Sequence, residues 1–209
     1  MTQSPTIKAI TFDVGNVLVR WDPRLAYEPL FHGRDEELNY FLNNICTLAW
    51  HTNHDQGISF ADNILSLQKK FPEHTTMIGL FEDQWDNMFG GIIEDSVELL
   101  YLLKEHNYTL FALTNFPADK FSDFREQNHF MNLFHDIIVS GEEKITKPDP
   151  RIYQILLQRT DIAAHETLFI DDRMENLVAA QKFGLQTHLF TTAKKLKSEL
   201  QLRGILPAA

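Results

Sequence analysis

Cysteine is nearly missing from this chain: Cys46 is the only one in 209 residues. It can close no internal disulfide, and such usage fits a reducing compartment, with Cys46 itself read as packing. Nowhere do eighteen consecutive apolar residues occur, and the opening MTQSPTIKAITF has no basic segment followed by a long apolar one. Neither a membrane span nor a secretory leader is therefore expected, and the reading is a soluble, cytoplasmic protein. Positive charge is scarce as well: 19 Lys and Arg stand against 29 Asp and Glu, a formal net charge of −10. That field repels polyanions, which excludes nonspecific binding to nucleic acid or to an anionic membrane while admitting a small anionic substrate in a local pocket. Low-complexity tracts and fixed-period repeats are absent too, so solenoid architectures drop out.

What is present is a core-sized share of apolar residues, 44%, in a chain slightly longer than a typical single domain. From residue 92 onward helical and strand patterns alternate. A helix near 94–106 precedes the apolar run YTLFALT, and a helix near 119–128 precedes HDIIVS. Asp149 before Pro150 marks an N-cap with proline at the first helical position, opening a helix to about Arg159. TLFID then reads as a strand, ENLVAAQKFG as a helix stopped at Gly184, QTHLF as a strand, and 192–202 as a closing helix. With strand 7–12 this makes five short strands, apolar on both faces and joined by helices, the pattern of a doubly wound parallel sheet.

Residues 24–90 interrupt the alternation, being rich in helix formers and aromatics with no convincing strand. The expectation is a Rossmann-like α/β core from 1–20 and 91–209, its sheet sandwiched by helices, with a small α-helical insertion at 21–90. Gly90-Gly91 closes that insertion and reads either as a helix stop or as a hinge.

The residues at the strand ends carry the chemistry. In AITFDVGNVLVRWDP an apolar strand runs into Asp13, and a carboxylate placed there is costly to desolvate unless something pairs with it. Ligands of open parallel sheets bind beyond the carboxyl ends of strands, and three further strand ends lead to Thr114-Asn115, to the loop of Lys147, and to Asp171-Asp172. Each has an ordinary structural explanation as a turn, a helix cap or a helix start. Only Asp13 resists one by itself.

Together and in this order, FDVGN at 12–16, LTN at 113–115, Lys147 in TKPDP and FIDDRMEN at 169–176 resemble the four motifs of the haloacid dehalogenase superfamily of aspartate-nucleophile hydrolases. The 101 residues from Asp13 to Thr114 leave room for a helical cap after the first motif, whereas the 33 from Thr114 to Lys147 leave none for a second one. The resemblance implies Asp13 as nucleophile, with Mg2+ held by Asp13, the carbonyl of Gly15 and Asp172, and Asp171 acting through a water. It also implies Thr114 and the Asn115 N–H as phosphoryl-oxygen donors, Asn16 near the substrate, and Asn176 bracing the acidic loop. Residue chemistry agrees: a carboxylate can attack phosphorus to form an acyl-phosphate, and joining two anions requires the positive charge that Lys147 and a hard divalent cation supply. The implied activity is a Mg2+-dependent phosphatase for a small phosphorylated metabolite, a monomer or homodimer.

One element of the motif is lacking. Most phosphatases of this superfamily carry a second Asp two residues after the nucleophile, where this chain has Gly15. A general acid-base is worth roughly 10²–10⁴-fold, so its loss predicts a steep dependence on the leaving group unless a substitute exists. Asp22 in RWDP is one candidate, although a helix cap explains it better. Sugar-phosphate phosphatases with a D-x-G-N motif resemble the chain here. A 2-haloacid dehalogenase, whose halide needs no proton, is the alternative; those enzymes use a cap arginine, and between Arg34 and Thr114 there is none. A noncatalytic binding protein on the same fold is a third reading, opposed by the joint presence of Asp13, Lys147 and Asp172. Within the insertion, CTLAWHTNHDQG gathers Trp50, His51, His54 and Asp55 before a glycine turn. Trp50 and His54 are the substrate-contact choices among them, and Phe81, Trp85, Met88 and Phe89 read as core by their helical spacing.

Overall fold

The computed structural model describes residues 6–208. Residues 1–5, which belong to the opening stretch and to the 1–20 segment discussed above, lie outside the described residues, as does 209. Among the described residues seven strands occur: β1 (Ala9–Phe12), β2 (Val19–Trp21), β3 (Phe89–Ile92), β4 (Thr109–Thr114), β5 (Asp136–Val139), β6 (Thr167–Asp171) and β7 (Gln186–Leu189). The helices in chain order are α1 (Pro23–Phe31), α2 (Asp35–Tyr40), α3 (Leu48–Asp55), α4 (Phe60–Lys70), α5 (Thr75–Gly79), α6 (Glu94–Glu105), α7 (Ala118–Gln127), α8 (Ser140–Glu143), α9 (Pro150–Thr160), α10 (Met174–Gln181) and α11 (Ala193–Leu202).

Five strands form one parallel sheet in the order β5-β4-β1-β6-β7. They are the five strands expected from the apolar runs, and Asp149 caps α9 with Pro150 at its start as the sequence suggests. Side chains alternate between the two faces. Ile10, Phe12, Leu110, Ala112, Leu168 and Ile170 enter one apolar cluster, while Ala9, Phe111, Leu113 and Phe169 enter another on the opposite side. The first cluster runs without a break into the helical insertion through Tyr27, Phe41 and Phe81. Burial of this kind is the main stabilising term, and cutting a fully buried Phe such as Phe12 to Ala costs about 3–5 kcal/mol.

The order of the strands places the site. The chain leaves β1 towards β4 and β5, then crosses to β6 and β7 on the other side. At that reversal the carboxyl ends of β1, β4 and β6 open a crevice between diverging connections.

The structure corrects the reading of the insertion's edges. β2 and β3 pair antiparallel as a ribbon through which the chain enters and leaves the helical segment. Gly90-Gly91 therefore lies inside a strand and stops no helix. These strands span three and four residues, and β3 is half-exposed, so no alternation of polarity marks them. Gly90 is needed for close packing, since a Cβ there would stand 3.1 Å from both Arg20 Cβ and Leu25 Cδ1. Asp22 is exposed and caps α1 by accepting from the Arg24 N–H at 2.8 Å, the structural role favoured for it.

Candidate active site

Three strand ends converge on one ion network. Lys147, 3% exposed, reaches between two carboxylates, with its Nζ 2.8 Å from Asp13 Oδ1 and 2.8 Å from Asp171 Oδ2. Its backbone is gripped by the Asn115 side chain, whose Oδ1 accepts from Lys147 N–H at 2.8 Å and whose Nδ2 donates to the Lys147 carbonyl at 3.1 Å. Asn115 thereby fixes the loop after β5 to the end of β4.

Asp171 is fully engaged. Besides Lys147, its Oδ1 and Oδ2 accept from the Asn176 Nδ2 at 2.9 and 3.1 Å, and Oδ1 accepts from the Arg173 N–H at 2.8 Å. Asn176 braces the acidic loop, as expected. Asp13 differs: Oδ1 takes the Val14 N–H at 2.7 Å and Lys147, while Oδ2 has no hydrogen bond among the described residues. Burial pushes the Asp13 carboxyl up to about 8, with Lys147 opposing and Asp171 adding to the rise. Asp172 is raised by burial and then by Asp171. Burial acts to lower Lys147, but Asp13 and Asp171 outweigh it and hold the ammonium charged.

Asp13, Asp171 and Asp172 offer oxygens that all lie within 4.8 Å of one another. Three carboxylates around one ammonium leave negative charge in excess, which a hard divalent cation with oxygen ligands would neutralise, so the donor set fits Mg2+. Thr114 Oγ1 at the end of β4 is buried and has no hydrogen-bond partner among the described residues, an available donor beside the network. Gly15 lies just past β1 at negative φ, with nothing within 4 Å of where a Cβ would stand. Asn16 takes the left-handed conformation, φ 55°, and its side chain accepts from the Trp21 N–H at 3.0 Å, so it shapes the turn while lining the crevice.

A cavity of about 380 Å³ stands over this floor. Its polar end holds Asp13, Gly15, Asn115, Lys147 and Asp172. Its walls are Val19, Trp21, Leu48, Trp85, Phe89 and Phe116, aromatic and aliphatic for the most part. A second cavity of about 290 Å³ shares Val19, Trp85 and Phe89 with it. Trp85 and Phe89 thus line the site besides packing, a role that helical spacing could not reveal.

Helix α3 forms the roof, and here the expected contacts change. Thr47 caps the helix, and successive turns carry the pairs Trp50/His54 and His51/Asp55 on adjacent faces. Trp50 and His54 turn away from the cavity. Trp50 donates from Nε1 to the Asn63 carbonyl at 3.4 Å, and the His54 ring stacks on Phe60 at 4.1 Å and meets the Asn63 amide at 3.1 Å. They are interior residues of the cap, held by its aromatic packing, and do not line the site. His51 and Asp55 line it instead. His51 sits between Trp21 and Trp85, with ring centroids 4.7 and 5.6 Å away, and burial, aided by His54, lowers it to about 3, so the ring is neutral. The sequence singled out all four residues but could not say which pair faced inward.

This crevice, with an aspartate, a lysine and an acidic pair at the strand ends, defines a class. Residues 50–190 match the family of haloacid dehalogenase-like hydrolases, and the chain belongs to that family. The sesquiterpene phosphatase AstK of Aspergillus oryzae is 28% identical over 186 residues, covering 86% of this chain and 88% of its own. An (S)-2-haloacid dehalogenase 4A of Burkholderia cepacia is 29% identical over 93 residues, 44% of this chain and 40% of its own. Among solved structures, a family enzyme of Bacteroides thetaiotaomicron in complex with magnesium superposes with a TM-score of 0.70 at 21% identity, over 90% of this chain and 95% of that one. The protein is a hydrolase of this family. Among the described residues no helix is long and apolar enough to cross a membrane.

Proposed function

We propose that the protein is a Mg2+-dependent phosphomonoester hydrolase working through a phosphoryl group carried on Asp13. The observation that supports this most is the division of labour at Asp13: Oδ1 is held by Lys147 and the Val14 N–H, and Oδ2 is left free to attack. Lys147 draws the substrate phosphoryl group towards a carboxylate that would otherwise repel it. Thr114 Oγ1 and the Asn115 N–H hold phosphoryl oxygens, and Asn115 keeps Lys147 in place. Asp13, the Gly15 carbonyl and Asp172 are the residues that would hold Mg2+, with Asp171, already saturated by hydrogen bonds, in support; the ion supplies charge neutralisation and alignment of the phosphoryl oxygens.

The apolar walls support an ester whose alcohol part is hydrocarbon-rich over a sugar phosphate, and the name of the Aspergillus relative points the same way. A 2-haloacid dehalogenase is the second reading, because Gly15 provides no acid and halide needs none. Against it, the one arginine lining the cavity, Arg173, is paired with Glu175. The test measures phosphate release from farnesyl phosphate, glucose 1-phosphate and an aryl phosphate, and chloride release from 2-chloropropionate, with Mg2+ and with excess chelator. Phosphate release should require the ion, favour farnesyl phosphate, and be lost in Asp172→Ala. Chloride release that persists in chelator would replace the phosphatase by the dehalogenase.

A further inference from the structure

The reaction proposed above lacks a proton donor for its leaving oxygen, since Gly15 stands where most relatives with phosphatase activity place a carboxylate. An alkyl alcohol expelled as an alkoxide leaves slowly, and a positioned acid is worth roughly 10²–10⁴-fold. The cavity holds one carboxyl group that neither the phosphoryl floor nor the fold uses. It is Asp55.

Asp55 ends helix α3 and is 5% exposed, yet it lines the same cavity as Asp13 and Gly15. Its Oδ1 is buried without a hydrogen-bond partner, with His51 Nε2 at 3.5 Å. A carboxyl group kept in that state costs stability, and the fold nevertheless fixes it there by three contacts from the core. Ser140 Oγ donates to the Asp55 carbonyl at 2.7 Å and accepts from the Phe116 N–H at 2.9 Å, which ties the end of α3 to the segment just after Thr114. Gln56 Nε2 donates to Thr146 Oγ1 at 3.2 Å, beside Lys147. Gly57, at φ +84°, lets the helix end press on α8, where any Cβ would come within 2.9 Å of the Gly141 carbonyl oxygen. The backbone of Asp55 is thus positioned by segments that follow β4 and β5, in the same sheet whose β1 carries Asp13, which is the rigidity a proton-transfer group requires.

We propose that Asp55 is the catalytic acid and base that Gly15 leaves out of the first motif, supplied from the cap. This rests on the phosphatase reading. In the first step Asp13 Oδ2 bonds to phosphorus, the ester P–O bond breaks, and its electron pair takes the proton of the Asp55 carboxyl, releasing a neutral alcohol and leaving Asp55 as carboxylate. In the second step water gives a proton to Asp55 as its oxygen bonds to phosphorus, and the bond to Asp13 breaks, restoring the Asp13 carboxylate and the Asp55 acid. Burial raises Asp55 to about 8, against the opposing pull of Lys147 and Arg173, so the group enters the cycle protonated at neutral pH. Asp13, raised as far by burial, instead contacts the Lys147 ammonium directly and would be held as carboxylate by the cation that it shares with Asp172. The neutral His51 beside it adds no charge that would drive the proton off.

The experiment compares 4-nitrophenyl phosphate, whose leaving group needs no proton, with butyl phosphate, whose leaving group does. Asp55→Asn should lower kcat/KM, which reports the first step alone, by roughly 10²–10⁴-fold for butyl phosphate and by less than about fivefold for 4-nitrophenyl phosphate, while the shared second step lowers kcat for both. Adding Gly15→Asp to that variant places a carboxylate where a Cβ meets nothing within 4 Å, and should return at least about tenfold of the lost butyl phosphate turnover. An equal loss of kcat/KM on both esters would reduce Asp55 to a packing residue, and no loss of kcat/KM on butyl phosphate would remove it from the reaction. A wild type inactive on both esters overturns the phosphatase reading and this proposal with it. Should Asp55→Asn not fold by circular dichroism, the wild type decides alone: across substituted phenyl phosphates a shallow dependence on leaving-group acidity supports an acid in place, and a steep one overturns it.

Discussion

Two carboxyl groups are buried near one cavity, Asp171 beneath its floor and Asp55 in its lining, and the protein treats them in opposite ways. Asp171, in the floor, receives Lys147, the Arg173 N–H and both contacts of the Asn176 amide. Asp55, in the roof, has a buried oxygen with no hydrogen bond among the described residues, His51 Nε2 standing 3.5 Å away. A satisfied buried charge is architecture: it holds Lys147 and the acidic loop rigid. An unsatisfied one stores a cost that a ligand can relieve, and such groups gather where chemistry is done. The floor is assembled from strand ends that the sheet fixes in space, while the roof depends on how one helix is turned.

That contrast can be broken or sharpened by substitution, beginning in the floor. Asp13→Asn keeps the shape of the side chain and removes the nucleophile, so turnover of every phosphate ester, 4-nitrophenyl phosphate included, should fall on the order of 10⁴-fold or more while the far-ultraviolet spectrum stays unchanged. Trapping of fluoroberyllate should succeed in the wild type and fail in this variant. Retained turnover would mean that another group attacks.

The next largest effect is expected inside the roof and away from the cavity. Trp50→Ala deletes a buried ring that packs edge-on against His54 and Phe81, and should cost about 3–5 kcal/mol in chemical denaturation. In the protein that remains folded, the ratio of farnesyl to aryl phosphate turnover should be that of the wild type, because Trp50 does not line the site. A changed ratio would place Trp50 in substrate contact after all.

A smaller effect separates the two carboxylates by pH. In the folded protein Asp55 titrates at about 8, against 3.8 for an ordinary Asp. Between those values the native state keeps a proton that the unfolded chain releases, so the contribution of this group favours folding at low pH and is lost as pH rises from about 4 to about 8. Asp55→Asn has no such loss. Its stability relative to wild type should therefore climb by up to about 1.4 kcal/mol per pH unit across that window, measured by urea denaturation in chelator. A difference constant with pH would show that Asp55 is not held neutral by the fold.

The sequence reached the floor because its signals are local. Five apolar runs each ended in polar residues of definite chemistry, and a parallel sheet carries strand ends to one side whatever the details of packing. Asp13, Thr114, Lys147 and Asp171-Asp172 could be named on that ground together with the family resemblance. The ribbon of β2 and β3 could not, since three and four residues with Gly90 and Gly91 among them show no periodicity. Nor could Phe116 or Trp21 be recognised as cavity walls, because an aromatic residue reads as core from its neighbours alone.

Helix α3 shows where the division falls. Its sequence, LAWHTNHD, offers Trp50/His54 and His51/Asp55 as two pairs at the same four-residue spacing, one residue and therefore about 100° apart around the helix. Both pairs are buried, so no polar stripe distinguishes inside from outside. By itself the sequence offered four chemically capable residues in this segment and, with the family resemblance, an aspartate, a lysine and an acidic pair at the strand ends. Which pair faces them was decided only by tertiary structure. Ser140, Thr146 and Gly141 grip the carbonyl of Asp55, Gln56 and Gly57 from the core, Phe60 draws the ring of His54 into the cap, and together these contacts set the rotation that turns His51 and Asp55 to the cavity.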